Sequence, residues 1–138
     1  MNDKLDFIIN KDKKTITCIA TNCTYDVLND LTKRLSTIQD DIIRTIYYDL
    51  ANSDSSDLRI NDKFYGTAKC VDPDVFDIEY GKKLAIKKMR YKYNKAKKKV
   101  MNRYTKRYEI LFNIFNDMSN WYNSRVDTSE ENLKFFIK

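Results

Sequence analysis

The fold of this chain is decided by residues 82–107, which read KKLAIKKMRYKYNKAKKKVMNRYTKR. Thirteen of these 26 residues are Lys or Arg, and none is Asp or Glu. The apolar positions recur at steps of three and four residues, which is the spacing of one helix face. They are Ala85, Met89, Tyr93, Ala96 and Val100. The segment therefore predicts a helix with one apolar face and an otherwise strongly basic surface.

The same apolar spacing continues on the carboxyl side of this segment. Its further positions are Tyr104, Tyr108, Leu111, Phe115, Met118 and Tyr122. We therefore expect the helix to reach about Arg125. A helix this long exceeds the diameter of a small domain. It is expected either to break near Asn102 or Asn116, or to pair with another copy.

The helix is expected to begin at Asp72. Asp72 can act as the cap, Pro73 fits the first helical position, and Asp74 favours the positive end of the helix dipole. Gly81 is the one residue before Arg125 that could interrupt it.

Residues 126–138 predict a separate short element. Thr128-Ser129-Glu130-Glu131 has the pattern of a capping box, which starts a helix. The end of the chain is apolar, with Phe135 and Phe136 side by side. We expect this tail to fold back on the core or to dock on a second copy.

Strand-favouring residues occur in two places in the first half. Residues 5–20 predict a β-hairpin, because two β-favouring runs flank the polar turn at residues 11–14. Residues 58–71 predict a further strand, or two short ones, in which Gly66 permits a bulge or a close approach.

Between them, residues 24–51 predict a single helix. Thr24 is its expected cap, and Asp26 lies near the positive end of its dipole. Its leucines and isoleucines recur at three- and four-residue steps, which indicates a face that packs on the core.

These elements give an α+β fold in the order β-β-α-β-α, with a small antiparallel sheet and two main helices. Residues 1–138 are expected to form one domain. It comprises an acidic α/β part (1–71), a long basic helix (72–125) and the tail (126–138). Glycine and proline, at two and one, are too few for the turns of a sandwich or barrel. No apolar window of about twenty residues is present, so no membrane span is expected.

Charge is distributed unevenly along the chain. Residues 1–79 carry 10 Lys or Arg against 15 Asp or Glu, whereas residues 80–138 carry 16 against 5. Neighbours four residues apart in the basic run, such as Lys95 and Lys99, repel each other. A bound polyanion would offset this repulsion. The alternative is neutralisation by the aspartates of the first half.

The predicted anion-binding set consists of one tyrosine and the basic residues of the run other than Lys82. Lysine outnumbers arginine there, which favours unspecific phosphate contacts over base reading. Tyr91 lies off the apolar stripe and is the best candidate for an exposed ring that stacks on bases, whereas Tyr93, Tyr104 and Tyr108 are expected in the core. The set is Lys83, Lys87, Lys88, Arg90, Tyr91, Lys92, Lys95, Lys97, Lys98, Lys99, Arg103, Lys106 and Arg107.

Several catalytic classes lack their usual residues here. The chain has no histidine, and two glycines cannot build a phosphate-cradling loop. The acidic residues Asp72, Asp74, Asp77 and Glu79 are interpreted as helix capping rather than as a metal site. We therefore expect no enzyme, no cofactor and no metal.

Residues 70–85, CVDPDVFDIEYGKKLA, carry a resemblance to a known group of proteins. A strand, the pattern Cys-x-x-Pro-Asp-x-Phe-Asp, and a glycine followed by Leu-Ala at the start of a basic helix resemble small accessory proteins of phages and prophages. About twenty residues from Gly66 are covered. Some of those proteins counter host defence, by inhibiting nucleic-acid-guided nucleases or by sequestering immune nucleotides.

The functional hypothesis is a non-catalytic, phage-type accessory protein that binds nucleic acid, or a nucleic-acid-binding machine, through its basic helix. An anti-defence role and a location in the cytoplasm of a bacterial host are implied. The three cysteines, odd in number, fit reduced thiols in that compartment. Two alternatives stay open: a homo-oligomeric scaffold whose long helices pair, and a protein that sequesters a small nucleotide between protomers.

Overall fold

A three-stranded antiparallel sheet and three helices make up the described chain. The computed structural model describes residues 5–52, 58–71 and 75–137. The elements follow the order β1 (Leu5–Asn10), β2 (Thr15–Ala20), α1 (Asp26–Leu35), α2 (Asp41–Asn52), β3 (Phe64–Lys69) and α3 (Ile78–Ile137). The predicted α+β class and the antiparallel sheet are confirmed. By their internal contacts Met1–Val100 and Met101–Lys138 are two units, and α3 contributes to both.

The predicted hairpin is present as β1 and β2, joined by a turn at residues 11–14. The Asn10 side chain accepts a hydrogen bond from the Lys13 amide at 3.0 Å, and Lys14 adopts a positive φ of 51°. β2 is the central strand and also pairs with β3, with Cys18 opposite Gly66. β3 is therefore an edge strand of the described sheet.

The core lies between one face of this sheet and the first third of α3. Every second residue of β2 and β3 is buried, as expected for a sheet with one face toward water. The buried side chains of the cluster are Ile16, Cys18, Ala20, Cys23, Phe64, Ala68, Ala85, Met89 and Tyr93. The Tyr93 ring meets the Phe64 ring edge-on with centroids 5.4 Å apart, and its hydroxyl donates to Asp26 Oδ2 at 2.6 Å.

Gly66 allows α3 to approach the sheet closely. A Cβ at this position would lie well inside contact distance of two backbone atoms of α3, the Ala85 carbonyl oxygen and the Met89 amide nitrogen. Gly66 has no positive φ, so its role is the missing side chain rather than backbone freedom. The close approach predicted at Gly66 is confirmed.

The single helix predicted over residues 24–51 is wrong, because the chain forms α1 and α2 with a break between them. At the break the Ser36 hydroxyl donates to the Lys33 carbonyl at 2.7 Å, which ends α1. Asp40 then caps α2 by accepting from the Ile43 amide at 2.9 Å. The expected Thr24 cap is also wrong, since the Thr24 hydroxyl donates instead to Asp62 at 3.0 Å.

α3 begins at Ile78, later than the predicted start at Asp72. The cap is Asp77, whose carboxylate accepts from the Tyr80 amide at 3.1 Å and whose carbonyl accepts from the Gly81 amide at 2.9 Å. Residues 75–77 are not helical, and residues 72–74 lie outside the described part of the chain. Gly81 does not interrupt the helix.

α3 runs without a break to Ile137, so neither Asn102 nor Asn116 ends it. The separate helix start predicted at Thr128 is wrong. The Thr128 hydroxyl donates to the Ser124 carbonyl one turn earlier, at 3.0 Å, which is a bond made inside a continuing helix. None of the described helices carries a stretch apolar enough to cross a membrane.

Candidate anion-binding site

The basic residues of α3 surround the side of the helix that packs on the sheet. Ala85, Met89 and Tyr93 are buried in the core with residues of β2 and β3, whereas the basic positions between them are exposed. Nine members of the predicted set within the first unit are exposed, and they are Lys83, Lys87, Lys88, Arg90, Tyr91, Lys92, Lys95, Lys98 and Lys99. Lys97 is half-buried. In the second unit Arg103 is half-buried, whereas Lys106 and Arg107 are exposed.

Part of this set forms a groove of about 470 Å³ between α3 and β3. Its lining residues, which we call the lysine groove, are Thr67, Lys87, Lys88, Tyr91 and Lys92. The four helical residues are neighbours because they occupy positions one turn apart. The Thr67 hydroxyl is hydrogen-bonded to the Thr17 hydroxyl at 2.9 Å. The groove thus combines three ammonium groups with one aromatic ring that is 67% exposed. Such a combination can hold a phosphate and stack a base.

Lys88 joins the two walls of the groove. Its ammonium donates to the Thr67 carbonyl oxygen at 3.1 Å. In an edge strand of an antiparallel sheet, the backbone amide and carbonyl groups of alternate residues point away from the partner strand. Thr67 is one of the residues whose backbone groups point to the open edge of β3. An ammonium group has three donors, so Lys88 keeps two for a ligand.

Four lysines continue the groove along α3 as a row. The lysine row consists of Lys88, Lys92, Lys95 and Lys99, which follow one another at steps of four, three and four residues. At 1.5 Å per residue the row is roughly 17 Å long. A nucleic-acid strand has one phosphate per roughly 3.4 Å, so the row spans roughly five phosphates.

The row lysines have no acidic partner among the described residues. No Asp or Glu in residues 5–52, 58–71 or 75–137 lies within 4.0 Å of their ammonium groups. At the start of the helix Lys82 is paired with Glu79 at 4.0 Å. The described aspartates of the first half therefore do not form ion pairs with the lysine row. Asp54, Asp57, Asp72 and Asp74 lie outside the described residues.

Two of the four tyrosines of this segment have the exposure that the sequence predicted. Tyr91 is exposed, with the Lys95 ammonium 5.9 Å from its ring centroid. Tyr93 is 3% exposed and belongs to the core, with the Lys97 ammonium 4.1 Å from its ring centroid. Tyr104 is half-buried, and the expectation that Tyr108 lies in the core is wrong because Tyr108 is 39% exposed.

Two features of Lys97 and Thr67 were not apparent from the sequence. Lys97 covers a core ring, so it contributes to packing as well as to charge. Thr67 was missed as a site residue, because nothing in a strand sequence indicates which helix residues will face its open edge. The only signal was the predicted strand itself.

A second group of titratable side chains surrounds the Cys23 thiol in the first unit. This thiol is fully buried, and burial is the first cause that raises its pKa from 9.0 to about 11. The carboxylates of Asp26 and Asp62 and a side-chain hydrogen bond with Asp26 raise the pKa further, while Lys97 opposes them. Burial also raises the pKa of Cys18. Both thiols are therefore protonated near neutral pH, which is not the nucleophilic form.

Cys23 should make the fold sensitive to alkaline pH. In the unfolded chain the thiol ionises near pH 9, whereas in the folded chain it holds its proton to about pH 11. Stability is thus expected to fall as pH rises through this window, by on the order of 2 kcal/mol. Urea unfolding of the native protein and of Cys23→Ala, from about pH 8 to about pH 11, measures it. Tyrosine and lysine side chains in general also titrate in this pH range, so the Cys23→Ala protein serves as the control for their contribution. An equally steep decline in both proteins would contradict the assignment.

Metal binding has no support from the geometry of the described residues. They contain no group of three or more Cys, Asp or Glu side chains placed to hold an ion. Of the acidic residues before α3, Asp77 is engaged as the helix cap, while Asp72 and Asp74 lie outside the described chain.

The chain matches no protein-family model, no curated protein and no solved structure.

Proposed function

We propose that this protein binds the phosphate backbone of nucleic acid, without catalysis, through the lysine groove and the lysine row. The observation that carries the proposal is the row of four lysines, roughly 17 Å long, which has no acidic partner within 4.0 Å among the described residues. Unpaired like charges at four-residue steps destabilise a helix, and a polyanion removes that penalty. Counterions released from the nucleic acid supply the affinity.

The composition of the surface favours recognition of the backbone rather than of base sequence. Lysine presents a point charge, whereas bidentate reading of guanine is typical of arginine. Tyr91, exposed beside Lys87 and Lys92, offers a ring on which one base of a single strand can stack. Single-stranded nucleic acid is therefore the expected preferred ligand.

The biological setting belongs to the same proposal. The resemblance of residues 70–85 to phage accessory proteins supports a role in the bacterial cytoplasm, where the protein competes with a host nuclease for nucleic acid.

A free nucleotide is a second candidate ligand, favoured by one observation. The groove volume of about 470 Å³ falls within the range of small-molecule sites.

The test is the salt dependence of binding. Fluorescein-labelled 20-nucleotide DNA and RNA, single- and double-stranded, are titrated with protein between about 50 and 200 mM KCl, and fluorescence anisotropy is read. For roughly five phosphate contacts the slope of log Kobs against log salt is expected between about −3 and −5. Affinity then falls roughly 60- to 1,000-fold over this range. Absence of binding at the lowest salt, or a flat slope, would contradict the proposal. Competition with an unlabelled mononucleotide distinguishes binding of a free nucleotide from binding of a nucleic-acid strand.

A further inference from the structure

The second unit, Met101–Lys138, has a helix with two chemically different faces. One face carries an apolar seam, which we define as Tyr108, Leu111, Phe115, Met118, Tyr122 and Val126. These side chains are between 39% and 67% exposed. Their steps are three, four, three, four and four residues, and Leu133 and Phe136 continue the pattern. Alternating steps of three and four are the signature of helices that pack along each other in a coiled coil.

The opposite face is polar, and between Glu109 and Asp127 it carries no Lys or Arg. Asn113, Asn116, Asn120 and Asn123 follow one another there at steps of three, four and three residues. Asparagine is a poor helix former, so propensity does not stabilise this part of α3. Helices of such composition depend on packing of their apolar face. A lipid surface would call for lysine and arginine on the polar face, which the asparagine row does not provide.

The seam is large enough for a stable protein interface. Side chains of this size that are about half exposed present roughly 80 Å² each. The seam and its continuation on two copies together offer roughly 1,200 Å², which is the lower bound of stable interfaces. Residues beside the seam, including Ile114 and Trp121, are also half exposed and add to this area.

Charges at the two ends of the segment identify the partner and its direction. Around the start of the seam Arg103, Lys106 and Arg107 outnumber Glu109, and after its end Asp127, Glu130 and Glu131 outnumber Lys134. Parallel pairing of two copies would place like charges opposite each other at both ends. Antiparallel pairing places the basic end of each copy against the acidic end of the other. The segment is thus complementary to itself, as a two-fold interface requires.

We propose that α3 pairs with α3 of a second copy, antiparallel, along the apolar seam. In the register that places Leu111 opposite Val126, Phe115 lies opposite Tyr122. Met118 then lies near the two-fold axis, opposite Ser119. The inference uses only the second unit and does not depend on the proposed nucleic-acid function.

The first test is the mass in solution. Sedimentation equilibrium at roughly 10–100 µM is expected to give twice the chain mass of 16.5 kDa. The variant Leu111→Glu/Phe115→Glu places four charges in the interface, and its dissociation constant should rise at least roughly 100-fold. Asn113→Glu/Asn116→Glu adds the same charge on the polar face and should remain dimeric. A monomeric native protein, or equal effects of the two variants, would overturn the proposal.

The second test fixes the direction and does not depend on destabilising variants. In a Cys70→Ser background, Leu111→Cys and Val126→Cys proteins are oxidised separately and as a mixture. The mixture should form the crosslinked heterodimer, whereas each protein alone should remain largely uncrosslinked, because Cys18 and Cys23 are buried. Efficient crosslinking of Leu111→Cys with itself would show parallel pairing and overturn the antiparallel register.

Discussion

A protein with Gly66→Ala is expected to lose about 3 kcal/mol of folding stability, or not to fold at all. The new Cβ would occupy the position of backbone atoms of α3, at Ala85 and Met89. Backbone cannot move aside as a side-chain end can, so the whole helix must shift away from β3. Such a shift opens the core around Ile16, Cys18 and Ala68.

Urea and thermal unfolding, followed by circular dichroism, measure this effect. The expected decrease in Tm is roughly 10–20 °C. Gly81→Ala is the matched control, because the atoms nearest to the added Cβ belong to the Ile16 side chain, with Cδ1 at 2.5 Å, and none is backbone. Alanine also improves helix propensity by about 1 kcal/mol at that position, so the net change should stay within about 1 kcal/mol. A Gly66→Ala protein as stable as Gly81→Ala would show that α3 does not lie against β3 as described.

Lys87→Gln/Lys92→Gln/Lys95→Gln is expected to weaken nucleic-acid binding roughly 100-fold at about 100 mM salt. Each lost phosphate contact removes the release of about one counterion, so the salt slope should become shallower by roughly two to three. All three side chains are exposed and in no described ion pair, so we expect the variant to keep the native fold. Lys97 stays unchanged, because it covers the buried Tyr93 ring.

The control for net charge is Lys11→Gln/Lys13→Gln/Lys33→Gln. These exposed lysines belong to the β1–β2 turn and to α1, and their removal lowers the net charge by the same three units. This protein should bind within roughly threefold of the native one, with an unchanged salt slope. Equal weakening by both triple variants would mean that overall charge, rather than the lysine row, governs binding.

The parts of the fold that follow from the sequence are those with a clear local pattern. The β-favouring runs predicted the hairpin and the third strand, and the three-and-four spacing predicted α3. The same spacing gave a wrong prediction at residues 24–51, where a single helix was expected and two are present. Leu35, Ile38 and Ile42 continue the helical steps across the break between α1 and α2. The break comes from hydrogen bonds of Ser36 and Asp40, which an apolar pattern does not contain.

The apolar stripe of α3 also predicted more core than exists. Strands of six residues are roughly 20 Å long, and Ala85 to Val100 already spans roughly 22 Å of helix. Beyond Val100 the stripe continues, but its side chains from Tyr108 onward are exposed. Periodicity identifies the face of a helix that will be covered, whereas the size of the sheet decides how much of it the sheet covers.

For the candidate site, the sequence identified the basic residues but not their arrangement. Lys87, Lys88 and Lys92 follow from the charge count and Tyr91 from its position off the stripe. Thr67 joins them only because β3 is the edge strand nearest to that side of α3. Strand order is a tertiary property, and a hairpin followed by a distant third strand leaves two orders open.

The bond between Lys88 and the Thr67 carbonyl also bears on self-association of a different kind. An open strand edge is a template on which a strand from another molecule can add, and this is how many β-proteins aggregate. Lys88 occupies a carbonyl that such a strand would need, and the exposed Lys69 adds charge to the same edge. A residue of the lysine groove thereby also hinders the addition of a further strand at the β3 edge.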